Sequence, residues 1–171
     1  MTILLTQPES EDDWQQARML IEEYVESLTL DLSFQNVMYE LGHLREEYGP
    51  PTGAFLLAEE NGVCLGCVGL RRFTEDAGEV KRLYIRPAAR GRGVGRLLAE
   101  RIVAVGKELG YARLRLDTLP SMNEAHRLYM SLGFQPIHAY RFNPVQGTAF
   151  LELELNAAQA NNNRRGRDRD A

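Results

Sequence analysis

Residues 80–96, VKRLYIRPAARGRGVGR, run an apolar strand into a glycine-rich turn and then into a helix, and few folds can use that order. Gly91, Gly93 and Gly95 leave backbone N–H groups unshielded. Behind them Val94, Leu97, Leu98, Ile102, Val105 and Leu109 recur at helical spacing. A helix N-terminus carries free N–H donors and the positive end of the helix dipole, so the segment suits a pyrophosphate and points to a nucleotide-bearing cofactor.

Two common pyrophosphate loops fail on register. A Walker-type loop ends in Gly-Lys-Ser/Thr, and neither residue follows Gly95. The dinucleotide fingerprint G-x-G-x-x-G would place glycine at Arg96, counted from Gly91, or at Leu98, counted from Gly93. What the chain does carry is Arg90-x-x-Gly93-x-Gly95, after GlyGluValLysArgLeuTyrIle at 78–85 and before ArgLeuArgLeuAsp at 113–117 and LeuTyrMetSerLeuGlyPhe at 128–134. In order and spacing, residues 78–134 resemble the Gcn5-related N-acetyltransferase (GNAT) family.

That resemblance implies a single-domain α/β fold: a mixed, mostly antiparallel sheet of six or seven strands flanked by about four helices. It implies acetyl-CoA as co-substrate, no metal, and transfer of an acetyl group to a primary amine by direct attack on the thioester. Gly91, Arg92, Gly93, Val94, Gly95 and Arg96, with Arg90 opening the motif, would hold the pyrophosphate. The main chain of Leu83, Tyr84 and Ile85 would align the thioester carbonyl and pantetheine. Tyr129 falls at the place of the general acid that protonates the departing thiolate. Glu79, eleven residues before Arg90, falls where some members place a carboxylate acting on the amine. One position departs from the family pattern. Seven residues before Tyr129 stands Met122 where many members have asparagine, and Asn123 is rotated from it by about 100° on a helix.

With 171 residues, 44% of them hydrophobic, the chain suits one domain, expected at 1–155. A net charge of −4 argues against a general nucleic-acid binder. Locally Lys81, Arg82, Arg86, Arg90, Arg92 and Arg96 form a cationic run without a carboxylate, expected as an anion-facing rim. Nowhere do 18 apolar residues run together and no secretory signal opens the chain, so a cytoplasmic protein without membrane partners is expected. Cys64 and Cys67 form a lone C-x-x-C; inside a strand their offset puts them on opposite faces, as small core residues. The tail at 156–171 is polar and reads as a solvated segment.

Local signals fill in the order of elements. Thr2–Thr6 suits a strand, and Ser10 with Asp13 a capping box opening a helix through Leu28. A second helix is expected at about 34–47, a hairpin around Asn61-Gly62, and parallel strands at 78–86 and 112–118. Ser121 with Glu124 predicts another capping box, Gly133 a C-terminal cap, and 134–142 and 148–155 two closing strands. The acceptor pocket would draw on Gln35, Tyr39, His43, Tyr48, Arg71, Arg72, Tyr140, Arg141 and Asn143. Arg71, Arg72 and Arg82 suggest a small amine bearing its own carboxylate. Acetylation of a protein or peptide and a non-catalytic acyl-CoA-binding module are the alternatives. Homodimers are common in proteins of this resemblance.

Overall fold

The computed structural model describes residues 2–28 and 36–155. Phe34 and Gln35 at the start of the expected second helix, and the tail, lie outside the described residues. Seven strands form one sheet: β1 (Leu4–Thr6), β2 (Ala54–Glu60), β3 (Val63–Arg72), β4 (Ala77–Ile85), β5 (Arg113–Thr118), β6 (Gln135–Pro136) and β7 (Ala149–Glu154). Their spatial order is β1-β2-β3-β4-β5-β7-β6, and only β4 and β5 run parallel. Among the described residues five α-helices accompany them: α1 (Glu11–Ser27), α2 (Val37–Gly42), α3 (Leu44–Tyr48), α4 (Val94–Glu108) and α5 (Asn123–Ser131). The expected second helix breaks at His43, whose backbone leaves helical geometry, so α2 and α3 are separate turns.

Helix α4 is the crossover between the parallel strands. It buries Val94, Leu98, Ile102 and Val105 against the sheet, each contributing about 1.5–3 kcal/mol. Leu97 and Leu109, which share its apolar period, lie at the exposed margin of that stripe. Helix α1 opens as expected: Ser10 Oγ accepts from the Asp13 amide at 3.2 Å, and the Asp13 carboxylate accepts from the Ser10 amide at 3.0 Å. Trp14, Ala17, Leu20 and Ile21 then join Leu44, Tyr48, Phe55 and Leu57 in a second core on the other face of the sheet.

Two register breaks decide which residues meet. In β3 the pairing with β2 slips between Ala58 and Glu59, leaving Leu65 as an extra residue. That bulge corrects the alternation expected for the cysteines: Cys64 and Cys67 both enter the second core, as buried free thiols. Burial pushes the Cys64 thiol up to about 11, Glu59 adding to the effect, and burial holds Cys67 higher still. Neither is primed for redox or metal chemistry.

In β4, Lys81 faces Gly69 and Tyr84 faces Cys67, so Arg82 and Leu83 together oppose a single residue. Arg82 takes a left-handed φ of 61°, and the Cys67 thiol donates to its carbonyl at 3.3 Å. The bulge resets the side-chain phase. Before it Glu79 and Lys81 share a face; after it Leu83 and Ile85 pack with the α4 core while Arg82 and Tyr84 face the second core.

Beyond Glu79 the parallel pairing ends. Only Ala77, Gly78 and Glu79 are in register with β5, against Arg113, Leu114 and Arg115, and the two strands then part. Of the closing strands, the one expected at 134–142 shrinks to Gln135–Pro136, with one further bond from the Ile137 amide to the Phe150 carbonyl at 2.9 Å. The chain then leaves the sheet, because Tyr140 and Arg141 are drawn to the buried carboxylate of Glu79.

Candidate active site

The turn before α4 is built for exposed donors. Gly91 and Gly93 adopt left-handed φ values of 78° and 80°, and Gly93 is the N-cap, with no side chain covering the first amides of the helix. A cleft of about 690 Å³ opens on this turn. Its walls include Leu83, Tyr84, Ile85, Arg90, Gly91, Gly93, Val94 and Gly95, so eight of the ten residues expected to bind the cofactor meet there. Arg92 and Arg96 do not line it; Arg92 reaches Glu60 at 2.5 Å and Arg96 reaches Ser131 at 2.9 Å. Bare amides, a nucleotide-sized cleft and a guanidinium at its rim fit a phosphorylated cofactor with a long arm.

A Gly93→Ala substitution tests this fit. No atom lies within 4 Å of the added Cβ, so the effect is conformational. Forcing alanine to a φ of 80° is expected to cost on the order of 1–2 kcal/mol and to weaken acetyl-CoA binding about tenfold, measured by calorimetry. Unchanged affinity would remove the turn from the cofactor site.

The cationic run divides by direction. Arg82 is buried and bidentate to Glu40, at 2.8 and 3.2 Å. Arg86 pairs with Glu23 at 2.7 Å, and Arg90 Nε donates to the Ile85 carbonyl at 3.1 Å. Only Arg90 of the run reaches the cleft; sequence reasoning missed Arg127 of α5, which also lines it. Met122 accepts from the Tyr24 hydroxyl at 3.6 Å, and Asn123 stands beside it in the cleft wall. The predicted box of Ser121 and Glu124 does not form: Met122 is the N-cap of α5 and has no side-chain cap bond, the turn being closed by its amide on the Leu119 carbonyl at 2.9 Å.

Beside the cleft lies a chamber of about 50 Å³ in the gap between β4 and β5. Tyr24, Leu28, Leu83, Met122 and Ala125 line both spaces. Tyr129 stands in the chamber wall, held by a local device. Gly133 follows α5 at a φ of 99°, the Phe134 amide donates to the Tyr129 carbonyl at 3.1 Å, and the Gly133 amide donates to the Met130 carbonyl at 3.1 Å. This pair of bonds is the Schellman cap, and its accompanying apolar contact is the Tyr129 ring against Phe134, with centroids 5.3 Å apart. Burial pushes the Tyr129 phenol well above its ordinary value, so it stays protonated.

Glu79 has no exposed surface, and both carboxylate oxygens are engaged. Arg71 Nε donates at 3.0 Å, the Tyr140 hydroxyl at 2.8 Å, and Arg141 also donates to it. Burial alone would raise its pKa; Lys81, Arg141 and Arg71 outweigh that and hold the carboxyl below its usual range. Of the residues expected around the acceptor, Arg71 also pairs with Glu47 at 3.1 Å, and Tyr48 is buried with its hydroxyl on Glu40 at 3.0 Å. Tyr39 stacks on His43 at 3.9 Å, away from the chamber walls. Asn143 does line the chamber and donates to Asp117 at 3.3 Å.

Comparison with known proteins agrees with this architecture. The sequence model of the Acetyltransferase (GNAT) family matches residues 14–134. A Schizosaccharomyces pombe protein named as an uncharacterized N-acetyltransferase is 41% identical over 150 residues, covering 86% of this chain and 90% of that protein. An IAA acetyltransferase of Azospirillum brasilense is 38% identical over 109 residues, covering 61% of this chain and 70% of that one. Among solved structures, the Salmonella typhimurium protein yncA, determined with acetyl-CoA, superposes with a TM-score of 0.66 at 21% identity, covering 92% of this chain and 96% of that one. Among the described residues no helix is long and apolar enough to cross a membrane. A match over more than half of the sequence, a close full-length relative and a shared fold together mean that this chain belongs to the GNAT acetyltransferase family.

Proposed function

We propose that this acetyltransferase moves an acetyl group from acetyl-CoA to the primary amine of a small molecule. The observation that carries the reading is the shared wall: the cleft at the glycine turn and the chamber holding Tyr129 have Tyr24, Leu28, Leu83, Met122 and Ala125 in common. A pyrophosphate on the amides of residues 91–96 sends the thioester arm along Leu83, Tyr84 and Ile85 toward that tyrosine. A chamber of about 50 Å³ favours a small acceptor over a folded protein surface.

In this mechanism the amine nitrogen bonds to the thioester carbonyl carbon, and charge developing on the carbonyl oxygen meets main-chain N–H at the Leu83 bulge. Collapse breaks the C–S bond, its electron pair leaves on sulfur, and the Tyr129 phenol supplies the proton. The remaining proton leaves the amine. Glu79 is the carboxylate expected for that step, but three donors make it a weak base. We assign the proton to Asp117, which lines the chamber, and give Glu79 a positioning role through Arg71, Tyr140 and Arg141.

Thiol release from acetyl-CoA with a broad panel of small amines, run beside coenzyme A binding, tests the reading. Turnover of small amines supports it, and turnover of peptides alone would replace it with protein acetylation. Binding without turnover of any amine would leave an acyl-CoA-binding module. For the proton, Asp117→Asn should lower kcat more than Glu79→Gln does; the reverse would return the base to Glu79.

A further inference from the structure

The chamber wall contains a buried cation whose head group meets no hydrogen-bond partner. Lys81 is 6% exposed, and its Nζ is buried with no hydrogen-bond partner and no carboxylate within ion-pair distance among the described residues. Thr118, at the end of β5, is 4% exposed, and its Oγ1 is likewise buried without a partner. Both line the same chamber, one from each side of the gap between β4 and β5.

Leaving a buried ammonium unmatched is costly, and a fold ordinarily pairs or neutralises it. Here the pairing is withheld although carboxylates are near. Glu79 is occupied by Arg71, Tyr140 and Arg141, and Glu40 by Arg82 and Tyr48. Arg71 and Arg82 are therefore engaged in internal pairs, and of the two cations in the chamber wall Lys81 is the one whose head group makes no hydrogen bond. Two orphaned groups able to donate, facing one small space, are complemented by an acceptor-only group. The space has the right scale, since about 10–15 Å³ of such volume holds one water and the chamber has about 50 Å³.

We infer that Lys81 Nζ and Thr118 Oγ1 form the subsite for a carboxylate on the acceptor, so that the preferred substrate is an amino acid or a similar short aminocarboxylate. This rests on the acetyl-transfer reading above. Asp117 lines the same chamber and provides the opposite charge for the ammonium end of such a zwitterion.

Lys81 is faced by Glu40 of α2, Arg71 of β3, and Glu79 and Arg82 of β4, with Asp117 of β5 and Tyr24 of α1 in the same walls. Burial pushes its pKa down to about 8; Arg82 and Arg71 lower it further, while Glu79 and Glu40 oppose them. The subsite is therefore cationic at neutral pH and loses its charge as pH rises through about 8.

The test uses the full chain, acetyl-CoA, and a panel of amino acids each paired with its own carboxamide. The parent is expected to favour the carboxylate member about tenfold or more in kcat/KM, the effect of one charge-assisted contact. Lys81→Met should bring that ratio close to one, and Lys81→Arg should keep it above one. Divided at each pH by the ratio in Lys81→Met, which cancels the different basicities of an amino acid and its carboxamide, the parent ratio should fall with rising pH through about 8. Because removing an unmatched buried charge relieves the fold, Lys81→Met should also melt about 2–4 °C higher, which separates lost recognition from lost structure.

A parent ratio at or below one, or the parent ratio persisting in Lys81→Met, overturns the subsite. So does Lys81→Arg behaving like Lys81→Met with a displaced acid limb of kcat, because that marks a proton acceptor. If no member of any pair is turned over while acetyl-CoA binds, the acetyl-transfer reading has failed. Calorimetry of N-acetylated amino acids with coenzyme A present then judges the subsite by itself, and equal affinity for parent and Lys81→Met overturns it.

Discussion

Tyr129→Phe is expected to lower kcat by about 10²-fold or more, the usual worth of a positioned general acid, while acetyl-CoA binding changes by less than about threefold. The reasons are local. The ring is fixed by the Schellman cap and by Phe134, and phenylalanine keeps both the backbone bonds and the ring contact. The hydroxyl has no protein hydrogen-bond partner among the described residues, so its removal leaves no group unsatisfied. Stability should be unchanged, and the whole effect should fall on the step that protonates sulfur. Because burial raises the phenol, Tyr129 itself should cause no loss of activity on the alkaline side below its ordinary value of 10. An unchanged kcat would make Tyr129 a packing residue.

Glu40→Gln should be the most damaging single change to stability. Glu40 is 2% exposed and neutralises Arg82, a buried arginine at the bulge of β4, while also accepting from Tyr48. Breaking a buried pair from one side leaves an uncompensated charge and costs about 3–5 kcal/mol. That corresponds to a melting temperature lower by roughly 6–20 °C in a domain of this size. Burial raises the Glu40 carboxyl, but Arg82 outweighs this and holds it below the ordinary range. Its contribution is therefore complete above the unfolded value, about pH 4.3, and is lost as pH falls through the lower folded value. Urea titrations at neutral and acid pH should show Glu40→Gln losing stability at the first and losing less of its remainder at the second. A double-mutant cycle with Arg82→Gln that gives no coupling would sink this account.

How much of this was readable in the chain depended on the range of each interaction. The capping box at Ser10 and Asp13, the Gly133 cap and the glycine turn each span a few residues, and each is where the sequence puts it. The sheet, its parallel pair and the crossover helix followed from the order of elements together with the family resemblance that order carries. The bulges did not, because an arginine at a φ of 61° has no signature in residue type. Without them Cys64 and Cys67 are assigned to opposite faces, and Lys81 looks like one cation of a surface run. Glu79 was identified by position, but its donors lie 8, 61 and 62 residues away, so nothing near it in the chain warned that its lone pairs were taken. The strand expected at 134–142 failed for the same reason, since two of its residues serve that distant carboxylate.

The parting of β4 and β5 after Glu79 also has a meaning for assembly. It creates two unpaired strand edges in the middle of the sheet, and an open edge is ordinarily where proteins aggregate. Tyr24 and Leu28 of the α1 segment line the gap together with Met122 and Ala125 at the α5 end, and the Tyr24 hydroxyl meets the Met122 sulfur at 3.6 Å. These side chains shield the parted edges from a second polypeptide sheet, while residues of both strands still line the space between them. On the acetyl-transfer reading proposed above, a slender linear molecule carrying its own amides would enter as though it were a missing strand, and a hazard of β architecture would become a filter for molecular width.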